Sequence, residues 1–387
     1  MKLFQRLLVA PAALGLLAPI TANANEVNFK AISNYSDVDN IEFANSFNNE
    51  ESIETQLLAG GEGLVDDHSH DGGFSETTTA SFSVDFATGY EDGTNAGDSL
   101  GAYYGFQIDL NTSFTGEDSL DVSLDGGNSG NQVAELDLNS TTSEALTVDG
   151  VSYTFPVMGA TVFVGDNTDG SALFSTACVY GGPGNNLDDC GNGSSAIGSG
   201  SGTALGASYA FDNGISVAVG YTGAGSSTSG LATKESNDSV AAQITYTADS
   251  YGVSFTGANV EASGNEGRNY YALNGYWTPS DSGAIPSISV GYEKGTGQNL
   301  TDTRQWFAGV QWDEAGPGTL GVAIGTIGAS TNGQNSSTLV HHNDPELIMY
   351  EAFYSYAVND GMTITPLIYT KETVTGSDDL TLSLIHI

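Results

Sequence analysis

The side chains that could do chemistry in this sequence are few, and their spacing is mostly wrong for catalysis. Five His occur, at 68, 70, 341, 342 and 386. The densest group of metal-ligand types is Asp66, Asp67, His68, His70 and Asp71, in DDHSHDGG. Imidazole and carboxylate are competent ligands for a divalent ion. Nothing nearby supplies a closed outer shell of orienting groups, so the expectation is a solvated turn. The run Asp166-Asn167-Thr168-Asp169-Gly170 resembles half a calcium loop, but the third acidic position and the distal Glu are missing. GGEGLVD (60–66) is one imperfect glycine-aspartate repeat, where calcium solenoids need several. No HExxH, GxSxG or Walker sequence is present. No catalytic residue, metal or cofactor is therefore expected.

The two cysteines, Cys178 and Cys190, bracket a Gly/Pro/Asn-rich stretch, CVYGGPGNNLDDC. In an exported chain an even pair of this kind predicts a local disulfide. Export is itself predicted. Lys2 and Arg6 precede an apolar stretch from Leu7 to Ile20, and Ala22-Asn23-Ala24 fits a cleavage site. Residues 1–24 read as a signal peptide removed before Asn25.

Composition narrows the partners. The chain has 387 residues, with 47 Asp+Glu against 8 Lys+Arg and a formal net charge of −39. After leader removal the basic residues are Lys30, Lys234, Arg268, Lys294, Arg304 and Lys371. Nucleic-acid binding needs basic stripes and is excluded as a function class. A peripheral protein held by basic clusters is disfavoured for the same reason. With 39% hydrophobic residues the chain is also no disordered acidic tail. Charged residues make up only 14%, against about 25% in ordinary soluble proteins.

The elements that must carry these residues are strands. After Gly60 the pattern repeats every two residues. Phe82, Val84 and Phe86 alternate with Ser83, Asp85 and Ala87. Ile215, Val217, Val219 and Tyr221 share one face, as do Met362, Ile364 and Ile368. Seventeen candidate strands lie near 76–90, 100–115, 117–126, 131–139, 145–156, 158–166, 202–212, 214–224, 236–248, 250–262, 267–278, 285–294, 303–313, 318–328, 346–358, 361–372 and 377–387. From residue 156 onward, tight connections (156–159, 212–214, 248–250, 278–283, 314–318, 359–361) alternate with longer ones (166–201, 224–236, 263–266, 295–302, 329–345, 373–377). That alternation is how outer-membrane barrels are built. A further tight turn at 115–118 puts an odd number of strands before the next turn on its side. One candidate between 117 and 156 is therefore surplus, and the prediction is an all-β, antiparallel up-and-down transmembrane barrel of about 16 strands. Residues 25–75 form a periplasmic N-terminal segment, in which 46–59 is a short helix or a linker, and the barrel occupies 76–387.

Several segments resemble the outer-membrane porins of cyanobacteria, relatives of the carbohydrate-selective porins. They are the leader MKLFQRLLVAPAALGLLAP, DLNTSFTGEDSLDVSLDGGN (109–128), VSYTFPV (151–157), ASYAFDNGISVAVGY (207–221) and EAFYSYAVNDGMTITPLIY (351–369). The resemblance implies an outer-membrane channel that passes small hydrophilic solutes and ions, in contact with outer-membrane lipid. Porins in general add the expectation of a homotrimer. The sequence departs from that family in two places. Residues 25–75 lack the surface-layer-homology domain, so no peptidoglycan-binding domain is carried over. The chain ends LSLIHI (382–387) in place of a strand closing on an aromatic residue, and those six residues read as an artefact on a truncated final strand. In many porins one long loop folds inward and narrows the pore. By that analogy 166–201 is the constricting loop, with Asp166, Asp169, Asp188 and Asp189 as its charges. Scarcity of Lys and Arg then predicts preference for cations. The rival readings are a secreted β-rich adhesin and a barrel enzyme.

Overall fold

The computed structural model describes residues 77–92, 99–128, 144–184, 202–224, 230–233, 237–262, 266–280, 284–297, 300–326, 347–372 and 380–386, together with Leu136, Leu138, Leu187, 190–193 and 195–197. The leader, the 25–75 segment and the His68/His70 group lie outside the described residues.

Among the described residues, sixteen strands form one closed antiparallel barrel in which each strand pairs with its chain neighbours and β1 closes on β16. They are β1 (Thr78–Asp92), β2 (Ser99–Thr112), β3 (Ser119–Gly127), β4 (Thr147–Val157), β5 (Ala160–Thr168), β6 (Gly202–Ala210), β7 (Ile215–Gly223) and β8 (Asp238–Thr247). The second half is β9 (Tyr251–Ala262), β10 (Glu266–Trp277), β11 (Ser287–Gly297), β12 (Leu300–Ala315), β13 (Gly318–Thr326), β14 (Ile348–Asn359), β15 (Met362–Lys371) and β16 (Leu380–His386). Parity resolves as expected, because β3 pairs directly with β4 through Asp125 and Thr147. Most of the 131–139 candidate lies outside the described residues, and Leu136 makes only an isolated bridge to Gly184. The expected loop at 295–302 is a correction: β11 runs to Gly297 and β12 starts at Leu300, with Gly297 opposite Leu300. Backbone pairing runs on through Gly295 with Thr303 and Gly297 with Leu300, so the strands continue where composition suggested a loop.

The barrel is inside-out relative to a soluble one. On β9, Val253 and Phe255 are 45% and 46% exposed, whereas Ser254 and Thr256, which alternate with them, are 0% exposed. The same alternation gives β11 an outer face of Ile288, Val290 and Tyr292 and an inner face of Ser287, Ser289 and Glu293. Water would penalise the outer surface, and hydrocarbon would penalise unpaired strand edges. A closed barrel satisfies every ladder bond internally and offers lipid only apolar side chains.

Tight connections gather at one end of the barrel. Among them are Met158-Gly159, Asp212–Gly214, Gly316-Pro317 and Asp360-Gly361. Gly159, Gly214 and Gly316 have positive φ of 84°, 82° and 71°, which L side chains rarely adopt. The longest described connection lies at the other end and joins β5 to β6, with 169–184, Leu187, 190–193 and 195–197 described. The closing strand is short. β16 pairs with β1 over Ala87–Asp92, and Thr78–Phe86 of β1 extends past that register.

Candidate functional site

The connection between β5 and β6 turns into the barrel and lies across its inner wall. Its extended backbone presents alternate N–H groups to successive strands. Ser175 N donates to Gln243 Oε1 on β8 over 2.6 Å, and Ala177 N to Ser254 Oγ on β9 over 2.9 Å. Val179 N donates to Ser289 Oγ on β11 over 3.0 Å, and Gly181 N to Gln311 Oε1 on β12 over 2.9 Å. Asn274 of β10 fills the gap by donating from Nδ2 to the Cys190 carbonyl over 2.7 Å. Inward polar side chains on five consecutive strands thus replace the water that this backbone would otherwise bind, at about 1 kcal/mol net per bond.

Two buried carboxylates fasten the segment further. Tyr180 donates its hydroxyl to Glu351 Oε1 on β14 over 2.8 Å. Its ring packs between Phe307 and Phe353, with centroids 5.3 Å and 5.7 Å away. Burial, and then the facing Glu351 carboxylate, raises the Tyr180 hydroxyl well above the usual phenol range, so it stays protonated and donating. Near the other end, Ser195 donates to Glu293 Oε2 on β11 from both N (2.7 Å) and Oγ (2.6 Å). Ser195 Oγ also bonds Asn192 Oδ1. Cys178 and Cys190 form a disulfide with Cα atoms 6.1 Å apart, closing the segment into a ring against the wall.

The wall makes room with glycine. An added Cβ at Gly291 of β11 would strike the Cys190 carbonyl, and one at Gly220 of β7 would strike the Gly170 carbonyl. At Gly105 of β2 it would meet the Leu138 carbonyl, so Leu138 also lies against the inner wall. Leu136, Leu138, Tyr180, Leu187 and Cys190 share one apolar cluster with the wall residues Ala87, Phe307, Met349, Phe353, Leu367 and Tyr369. Leu367 and Tyr369 therefore face inward without facing water.

The residues singled out in the sequence are dispersed. Asp166 pairs in register with Val151 and Thr203 and is exposed on the outer face, with Val162 and Val164. The expectation that it is a charge of the constriction is corrected: it stands within β5, two residues before the strand ends at Thr168, and strand alternation sends its side chain outward. Asp169 is exposed where the inserted segment begins, and its carbonyl accepts from Ala172 N. Asp188 and Asp189 lie outside the described residues.

Other carboxylates take the inner wall. Asp109, Asp121 and Asp125 stand on the inner face of β2 and β3, and Asp85 on that of β1. Asp109 accepts from Gln107 and Ser123 at 2.7 Å each. Asp121 accepts from Asn111 (2.5 Å) and Ser119 (2.7 Å), and Asp125 from Thr147 (2.6 Å). The signal for them was period two: Asp109 alternates with Ile108 and Leu110, and Asp121 and Asp125 with Leu120, Val122 and Leu124. No Lys or Arg occurs anywhere from residue 31 to 233, so no cation from β1–β7 opposes these carboxylates.

Asp118 caps the tight turn before β3. It accepts from Ser113 Oγ, Phe114 N, Thr115 N and Thr115 Oγ1 at 2.7–3.0 Å, and from the Tyr153 hydroxyl at 2.5 Å. These donors, Tyr153 foremost, hold its carboxyl far below the usual carboxylate range.

No protein-family model and no curated protein matches the sequence. Solved structures match the fold. OmpT of Vibrio cholerae in its trimer form aligns with a TM-score of 0.54 at 11% identity, covering 80% of this chain and 99% of that one. OprB of Pseudomonas putida aligns at 0.53 and 12% identity, covering 79% and 93%. An anion-selective porin from Comamonas acidovorans aligns at 0.51 and 12% identity, covering 80% and 98%. At such low identity the likeness extends to architecture alone: this chain has the closed antiparallel barrel fold of bacterial outer-membrane porins.

Proposed function

We propose that this protein is an outer-membrane porin. It is exported through a cleaved signal peptide and allows passive diffusion of small hydrophilic solutes and ions. The observation that carries the reading is the inverted barrel with a chain segment bonded across its inner wall. An apolar exterior needs lipid, and a polar interior narrowed by a fixed segment makes a size filter. The homotrimer is the assembly we infer, in line with the trimer form of the similar Vibrio barrel. The kinship to cyanobacterial porins read from the sequence belongs to the same proposal.

The pore prefers cations in this reading. Asp85, Asp109, Asp121 and Asp125 line β1–β3 in a stretch of chain without any Lys or Arg, and carboxylate-lined pores favour cations. Asp188 and Asp189 remain candidates for the rim of the constriction, and Asp169 for its entry. The test is reconstitution into planar bilayers. Discrete conductance steps are expected, with a reversal potential toward the cation side in dilute KCl, shrinking at 1 M salt where the Debye length falls to about 3 Å. Absence of steps, together with gel migration unaffected by boiling, would favour the adhesin. An anion-side reversal potential would refute the selectivity.

A further inference from the structure

We infer that the tip of the β4–β5 hairpin is a lipid anchor, seated at the boundary of headgroups and acyl chains in the leaflet at the tight-turn end of the barrel. This rests on the reading of the chain as a membrane barrel. Met158 and Gly159 form the two-residue tip, and both have positive φ, 51° and 84°. Hairpin turns of that kind favour Asn-Gly or Asp-Gly, because Asn and Asp tolerate the left-handed region. Tight turns at the same end of the barrel hold Asn213-Gly214 and Asp360-Gly361. The β4–β5 tip instead holds an apolar side chain in a conformation that residues with a Cβ rarely adopt. That side chain is also 100% exposed.

Aromatic rings flank the tip on both sides. Phe114, 66% exposed in the β2–β3 turn, packs against Tyr153 with ring centroids 6.3 Å apart, and Tyr153 stacks on Phe155 at 5.3 Å. On the other side a Cβ on Gly159 would lie 3.5 Å from the Tyr209 ring, which packs edge-on against Phe211 at 4.8 Å. Phe114 and Phe211 lie in turns, so on this arc the apolar surface reaches the very end of the barrel. On the opposite arc the last outward rings, Trp312 and Tyr356, lie inside β12 and β14, and Glu314 and Asp360 come after them.

Charge separates this hairpin from its neighbours. No Asp, Glu, Lys or Arg lies between Asp149 and Asp166. The other tight connections each contain an acid, at Glu117, Asp212, Asp249, Asp281, Glu314 and Asp360. Water solvates those acids and penalises an exposed Met158. A bilayer surface reverses the preference, since rings settle at headgroup depth and a neighbouring apolar side chain is taken up at the acyl boundary. The tip continues the outward face of β4 and β5, where Val151, Tyr153, Phe155, Val162 and Val164 stand, so the surface that covers those strands covers the tip too.

The experiment places one environment-sensitive NBD label through a new cysteine in the full chain, since Cys178 and Cys190 are held in their disulfide. The positions are Met158→Cys, Asp360→Cys in the β14–β15 turn, and Phe255→Cys on the outward face of β9. Each variant is folded into phosphatidylethanolamine–phosphatidylglycerol vesicles, and heat-modifiable migration establishes that the barrel is formed. Quenching is read with aqueous iodide and with a phospholipid carrying a nitroxide at the top of its acyl chain. Relative to the label at 360, the label at 158 should show blue-shifted emission, loss of iodide quenching and gain of nitroxide quenching. Equal iodide quenching at 158 and 360, or shielding at 158 without nitroxide quenching, would overturn the anchor. With the label moved to Ala160→Cys, adding Met158→Asn should raise iodide quenching, and no change would overturn the part given to the methionine. The label at 255 keeps the anchor apart from the barrel reading. Nitroxide quenching at 255 with iodide quenching at 158 overturns the anchor alone. Iodide quenching at 255 without nitroxide quenching overturns the membrane barrel, and the anchor with it.

Discussion

The Tyr180 hydroxyl donates to the Glu351 carboxylate over 2.8 Å, joining the inserted segment to a strand 171 positions later in the chain. Glu351 is 2% exposed. Tyr180→Phe leaves that carboxylate without its phenol donor while keeping the ring between Phe307 and Phe353. We expect a loss of about 1–3 kcal/mol in the hold on the segment. It should appear as greater open-channel noise and higher mean conductance in single-channel records, with heat-modifiable migration retained.

Removing the ring closure acts on the same segment by another route. Cys178→Ser with Cys190→Ser frees the constraint over a sequence separation of 12, worth about 2–3 kcal/mol against the unclosed chain. The bonds from residues 175–181 to the wall remain, so partial loosening is expected. Conductance of the double variant should lie above that of the oxidised wild type. Dithiothreitol should move the wild type toward the variant and leave the variant unchanged.

Glycine positions give a steric test with an internal control. Gly291→Ala drives a methyl into the Cys190 carbonyl, whereas Gly257→Ala meets nothing nearer than the Tyr271 ring at 3.9 Å. The first should displace the segment from β11 and change conductance. The second should leave conductance at the wild-type value. Equal behaviour of the two variants would place the segment away from β11.

Selectivity is tested on the wall. Replacing Asp109, Asp121 and Asp125 together by Asn keeps side-chain volume and removes three inner-face charges. The reversal potential in dilute KCl should move toward zero. Asp166→Asn, on the outer face, should leave it unchanged. A larger shift from Asp166 than from the triple change would overturn this assignment.

The turn at 113–118 predicts a pH dependence. Asp118 has a folded pKa far below its unfolded value, for which about 3.9 is typical. A depressed carboxyl contributes stability that is fully present above the unfolded pKa and is lost as pH falls toward the folded one. Heat resistance of the barrel should therefore fall between pH 5 and the acid range, roughly from pH 5 to pH 2. Asp118→Asn should have lower resistance at neutral pH and a smaller fall, read from boiling curves on gels.

The barrel was legible in the sequence because each strand repeats every two residues and each tight turn carries its own residue signature. Ile215, Val217 and Val219 need no long-range partner to declare their face. The same alternation contained Asp109, Asp121 and Asp125, which is why the inner carboxylates could have been read from it. The position of Asp166 was harder, since one residue at a strand end reverses the direction of a side chain. The inserted segment was harder still. Leu367 and Tyr369 face inward, which strand patterning alone assigns to water, and they are buried in a cluster with residues from about two hundred positions earlier in the chain. Contacts at that separation leave no periodic trace. Glu351 and Glu293 carry no sequence signal of the donors they hold, Tyr180 and Ser195.

The ladder of wall side chains beneath residues 175–181 has an evolutionary consequence. Each rung joins a backbone N–H, which every residue but proline carries, to one polar side chain, Ser or Gln, on a separate strand. The identity of the residues in the crossing segment is therefore weakly constrained, while Gln243, Ser254, Ser289 and Gln311 are not free to drift. Pore diameter could be retuned by changing side chains on the crossing segment while its track across the barrel stays the same.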